Sequence, residues 1–134
     1  MVKTHEDLEA LLRKLERHFE RLENGIYVVA IGAGQALVAL RLAPPVLVAQ
    51  VEIGKAPGGN DQRAAELFRK LLSLNATDLL HAAYGIEGDV LVLSAALELD
   101  SLDLNELEAV LNDVDLALSE HVPTLREMVD GARS

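Results

Sequence analysis

The chain has 134 residues, enough for one domain with a substantial core, and half of them are apolar. A net charge of −10 with only two Phe, two Tyr and no Trp leaves neither the basic footprint nor the stacking platforms of a nucleic-acid binder. No cysteine means no disulfide, thiol catalysis or Cys-ligated zinc, and no apolar run reaches the ~20 residues of a membrane span.

The N-terminus is charged from Lys3 and has no apolar signal region, so a cytoplasmic protein is expected. Charge is uneven along the chain. Residues 76–134 hold thirteen acidic side chains against Arg126 and Arg133. That acid is either a self-repelling, soluble surface or a face for basic segments of a partner.

In chain order, Thr4 and Asp7 form a capping-box variant that opens a helix. Leu8, Leu11, Leu12, Leu15, Phe19 and Leu22 continue its apolar stripe, and Asn24-Gly25 stops it, giving a helix over about 5–23. Three strands follow at 26–31, 36–42 and 46–53, with "GAGQ" and "APP" as turns. A loop, "KAPGGND", ends in a cap at Asn60 or Asp61, and a second helix covers 61–74. Residues 79–86 and 90–97 read as a hairpin across Glu87-Gly88-Asp89. A last helix starts at Asp103 with Glu106 as capping partner and breaks near Val122 because of Pro123, with a short helical continuation through Val129. The reading is an α+β fold, α-βββ-α-ββ-α, a single domain with an antiparallel sheet packed by helices.

Strand alternation sorts the side chains into two faces. Val38, Leu40 and Leu42 oppose Leu37, Ala39 and Arg41; Leu47, Ala49, Val51 and Ile53 oppose Val46, Val48, Gln50 and Glu52; Leu91, Leu93, Ala95 and Leu97 oppose Val90, Val92, Ser94 and Ala96. One face is fully apolar. The other is more apolar than a solvated face of an antiparallel sheet normally is, so a further helix, an identical chain or a partner chain is expected to cover it.

Gly32 and Gly34, with Glu52 twenty residues after Gly32, also fit part of a dinucleotide-binding fingerprint. That reading needs a crossover helix in residues 35–43, which is short, and a third glycine where Leu37 stands. It is kept as a remote alternative. No other enzyme or metal pattern emerges. His5, His18, His81 and His121 show no paired ligand spacing, no serine sits in a nucleophile elbow, and the carboxylates of 98–115, Asp113 and Asp115 included, read as helix capping and solvated surface. His5 and His121 read as surface residues, His18 as the edge of the first stripe and His81 as an outward strand residue. No catalytic residue, metal or cofactor is assigned.

Element order, length, acidity and the lack of Cys and Trp resemble the class I type III secretion chaperones, the Tir chaperone family. The local resemblance lies in "ELFRKLLSLNATDLLHAAYGIEGDVLVLSAALELDSLDLNELEAVLNDV", residues 66–114. It contains Leu71-Leu72-Ser73-Leu74-Asn75 at a helix end, the strand Leu91-Val92-Leu93-Ser94, and the helix start from Leu102 to Leu107. YbjN-like proteins share the same fold. The resemblance implies a homodimer that holds the N-terminal segment of a secreted effector in extended form, without ATP and without catalysis. It points to Leu37, Ala39, Val46 and Val48 for the bound segment, and to Leu67, Leu71, Val90 and Val92 for the dimer. A YbjN-like regulatory or scaffold protein without a secretion client is the alternative.

Overall fold

The computed structural model describes residues 2–32, 36–58 and 62–133, with side chains through Met128. Its elements are α1 (His5–Lys14), β1 (Phe19–Arg21), β2 (Tyr27–Ile31), β3 (Ala36–Ala43), β4 (Val46–Lys55), α2 (Gln62–Thr77), β5 (Ala83–Glu87), β6 (Val90–Glu98), α3 (Leu104–Glu120) and α4 (Val122–Arg133). The strands form one sheet in the order β1-β2-β3-β4-β6-β5, antiparallel throughout.

The expected capping box is present. The Asp7 N–H donates to Thr4 Oγ1 and the Thr4 N–H donates to Asp7 Oδ2. The helix, however, ends at Lys14 and not near residue 23. Glu16 takes the left-handed conformation (φ 57°), its N–H donates to the Arg13 carbonyl, and the Arg17 N–H donates to the Leu12 carbonyl. This is a Schellman stop built on glutamate where glycine is usual. Phe19 and its neighbours form an extra edge strand on β2, and Asn24-Gly25 turns that hairpin, with Gly25 at φ 82°. The strand order is therefore α-ββββ-α-ββ-αα.

The other elements shift less. β5 starts at Ala83, leaving 79–82 as a loop, and α4 is a full helix of twelve residues that carries Pro123 in its first turn, where no backbone N–H is needed. Asp103 caps α3, its Oδ1 accepting from the Glu106 N–H at 2.8 Å. "APP" turns β3 into β4 through a cis Pro44–Pro45 bond. Residues 33–35 and the helix-cap residues Asn60 and Asp61 lie outside the described residues.

The core joins Tyr27, Val29 and Ile31 of β2, Val38 and Leu40 of β3, Leu47 and Ala49 of β4 and Leu91 and Leu93 of β6 to helical residues. The helices supply Leu8 and Leu12, Leu67 and Leu71, Leu107 and Leu111, and Leu125. Each fully buried leucine contributes about 2 kcal/mol of transfer free energy. Every strand residue in this core lies on the face that alternation assigns to the interior, so the helices pack on that side. At Glu52–Gly54 a bulge inserts Ile53 opposite the step from Val92 to Leu91.

Candidate functional site

The opposite face of β2, β3 and β4 keeps its side chains exposed or half-exposed. A groove of about 410 Å³ runs over it. Register places its lining in three rows. Arg41 stands beside Val48, and Val28, Ala39 and Gln50 form the middle row. Continuing the same register sets Ile26 beside Arg41 and Leu37 beside Glu52; all eight line the groove. The small Ala39 forms its floor. Leu37, 60% exposed, and Val48 stand at diagonal corners, and Arg41 and Glu52 occupy the other two.

Beyond β4 this face changes character. Gln50 Nε2 donates to Glu87 Oε2 at 3.2 Å, crossing from β4 to β5. Gln50 pairs with Ser94, and Glu87 with Val90, so the bridge passes over the intervening Val92. Gly85, opposite Val92, leaves room for it. Val92 is consequently only 5% exposed although it lies on the open face.

The sheet edges differ as well. On β5, the Asn75 side chain donates to the Tyr84 carbonyl (3.1 Å) and accepts its N–H (2.7 Å), acting as a substitute strand partner. The neighbouring Ala82 N–H is held by Asp113. On β1, the bonds from Ala30 to His18 and from Leu22 to Ile26 leave Phe19 and Arg21 with their backbone groups directed away from β2. One edge is thus closed by side chains and the other is short and open.

The structure brings together Leu37, Ala39 and Val48 of the proposed segment-binding set. Val46 lies beyond the groove, paired with Ala43 and Glu98. Of the proposed dimer residues, Leu67, Leu71 and Val92 are buried within the single chain, and Val90 is half-buried.

Asp113, His121, His81 and His5 take settings other than those expected from the sequence. Asp113 is buried (8% exposed), and its Oδ2 accepts the N–H groups of Leu80, His81 and Ala82 at 3.3, 2.9 and 2.9 Å. It sits three residues after Val110 on the stripe side of α3, and that spacing was the signal available. His121, also buried at 7%, caps α3. It lies 3.0 Å from both the Tyr84 hydroxyl and Asp78 Oδ2. His81 is in the loop before β5, not in a strand. His5 is half-buried against the Tyr27 hydroxyl at 3.2 Å.

Titration follows these contacts. Burial, then the hydrogen bond to Glu9 at 2.8 Å, pushes the Tyr27 hydroxyl up to about 12. Burial raises Tyr84 too, helped by the charges of Asp113 and Asp78. Hydrogen bonds from Thr77 and His121 lower Asp78, and the N–H groups of Lys3 and Thr4 lower Asp7. Among the described residues no group of His, Asp and Glu could hold a metal ion, and no helix is long and apolar enough to cross a membrane.

The fingerprint reading fails on structure. Residues 36–43 are a strand paired antiparallel to β2, so no crossover helix follows Gly32. A side chain at Gly32 (φ 68°) would run into the Asp115 carboxylate, which places negative charge where a phosphate would have to lie.

The family model CesT_Tir_1 matches residues 1–131. The chain belongs to the CesT_Tir_1 family. Among solved structures it is similar to SycH, a Yersinia pestis type III secretion chaperone in complex with a stable fragment of YscM2. That match has 21% identity and a TM-score of 0.54, and covers 88% of this chain and 95% of that one. It is also similar to YbjN, a candidate transcription regulator from E. coli, at 12% identity and a TM-score of 0.56, over 96% of this chain and 90% of that one. A search among curated proteins finds no match. The fold is that of the type III secretion chaperones, and YbjN shares it.

Proposed function

We propose that this protein is a non-catalytic, cytoplasmic chaperone that works as a homodimer and holds an extended segment of a secreted protein on the open face of β2–β4. The observation that carries this reading is the apolar groove over Ala39, on a sheet face that the chain's own helices leave uncovered. An extended segment presents alternate side chains to such a surface, and a large wrapped area offsets the entropy lost on ordering it. SycH, of the same fold, has been seen with a bound protein fragment. For the dimer, the residues that α2 and β6 leave accessible are the relevant ones: Leu72, 69% exposed, and Val90.

The similarity to YbjN supports a second reading equally well, a regulatory or scaffold protein of this fold with no secretion client. Purification of the tagged protein and of Val48→Asp from its own cells, followed by mass spectrometry, separates the two. The chaperone reading expects a secreted protein that is retained by the native chain and lost from the variant. Recovery of only non-secreted partners selects the second reading.

A further inference from the structure

The groove has two charged corners as well as apolar walls. Arg41 and Glu52 are exposed, and neither side chain makes an ion pair or hydrogen bond among the described residues. They stand at opposite ends of the groove, because Arg41 pairs with Val48 and Glu52 lies four residues further along β4. Four residues of strand span about 13 Å. Between the two charges lie the Ala39 floor and the walls made by Leu37 and Val48.

An extended segment on this face directs residues i, i+2 and i+4 toward the sheet, over the same length of about 13 Å. We propose that the groove selects segments with an acidic residue, an apolar residue and a basic residue at i, i+2 and i+4, read in either chain direction. The acid meets Arg41, the apolar side chain enters the hollow over Ala39, and the base meets Glu52. This inference rests on the chaperone reading, because it specifies the segment that the groove would hold. The cationic end rejects a base and the anionic end an acid, so discrimination comes from repulsion as much as attraction. Gln50, on the floor between the charges, is turned to Glu87 and competes with neither end.

The test uses three labelled peptides, Glu-Thr-Val-Thr-Lys, Glu-Thr-Val-Thr-Glu and Lys-Thr-Val-Thr-Lys, each flanked by Ser and Thr and titrated by fluorescence anisotropy. The native protein is expected to prefer the mixed-charge peptide by about three- to fivefold, the scale of one exposed ion pair. Arg41→Glu should move the preference to the Lys/Lys peptide, and Glu52→Lys to the Glu/Glu peptide. A purely structural role for these residues predicts no such exchange. Equal binding of all three peptides, preferences that the variants leave unchanged, or no binding at all overturns the charge code. The chaperone reading is judged separately, by capture of a secreted protein and its loss in Val48→Asp.

Discussion

One oxygen of the Asp113 carboxylate, on α3, accepts the Ala82 N–H at 2.9 Å, together with those of His81 and Leu80. A loop before an edge strand would otherwise leave these donors without a protein partner, one of them buried. The bonds tie the start of β5 to the helical layer, so this edge strand, whose Glu87 bonds to Gln50 of the open face, is positioned by α3. Asp113→Ala should therefore cost about 2 kcal/mol or more in urea denaturation, the penalty for stranding a buried donor with weaker losses added. Asp113→Asn, which keeps an acceptor oxygen, should cost clearly less. Equal stability of native protein and alanine variant would remove this anchor from the account.

Much of the fold was legible because local signals agreed with the tertiary outcome. The capping box at Thr4, the Asp103 cap and the Glu87–Val90 hairpin are all chemistry within four residues. The end of α1 was not legible. Phe19 continues a helical stripe from Leu15, and it suits an edge strand equally; the deciding event is a left-handed Glu16, which no composition rule announces. Spacing hinted that Asp113 is buried, but its partners, like the Asp78–His121–Tyr84 chain, were not legible, for a different reason. The partners come from separate elements, over thirty residues apart in sequence. Alternation did place Leu37, Ala39, Val46 and Val48 on one face of the sheet, the face opposite the core. It could not show that all the helices choose the other face, nor that Gln50 and Glu87 would cover Val92.

Gly32 tests the turn reading against the nucleotide reading. A β-carbon there meets the Asp115 carboxylate in a left-handed backbone, so Gly32→Ala should destabilise by about 1–2 kcal/mol. Asp115→Ala should recover the part due to collision and leave the part due to backbone conformation. Millimolar NAD or ATP should leave the melting temperature of the native protein unchanged, because only a ligand that binds the native state raises it. A clear rise would reopen the nucleotide reading.

Oligomeric state is the next measurement. Light scattering should give a mass near twice 14.5 kDa at micromolar concentration. Leu72 is 69% exposed on α2, so Leu72→Asp leaves the folded chain intact. An aspartate at the centre of an apolar contact should weaken the dimer about tenfold or more. A monomer for the native protein would remove the homodimer from the proposal. An unchanged dimer in the variant would move the interface away from α2.

The pH profile of stability should fall on both sides, for reasons that can be separated. Tyr27 is held neutral in the folded chain, with its hydroxyl pushed up to about 12 against 10.0 in the unfolded state. Its contribution is complete below pH 10 and is lost as pH rises from 10 toward 12, because the unfolded chain releases the proton first. Asp78 has the opposite sign. Its folded value lies below 3.8, so its contribution is present above that pH and disappears as pH falls through the folded value. Tyr27→Phe should therefore lose about 1 kcal/mol near neutrality, the worth of the bond to Glu9, and show a flatter alkaline limb. Asp78→Asn should flatten only the acid limb. Urea midpoints measured from pH 2 to 12 check both, and an alkaline limb that keeps its slope in Tyr27→Phe would assign that loss of stability to other groups, Tyr84 first among them.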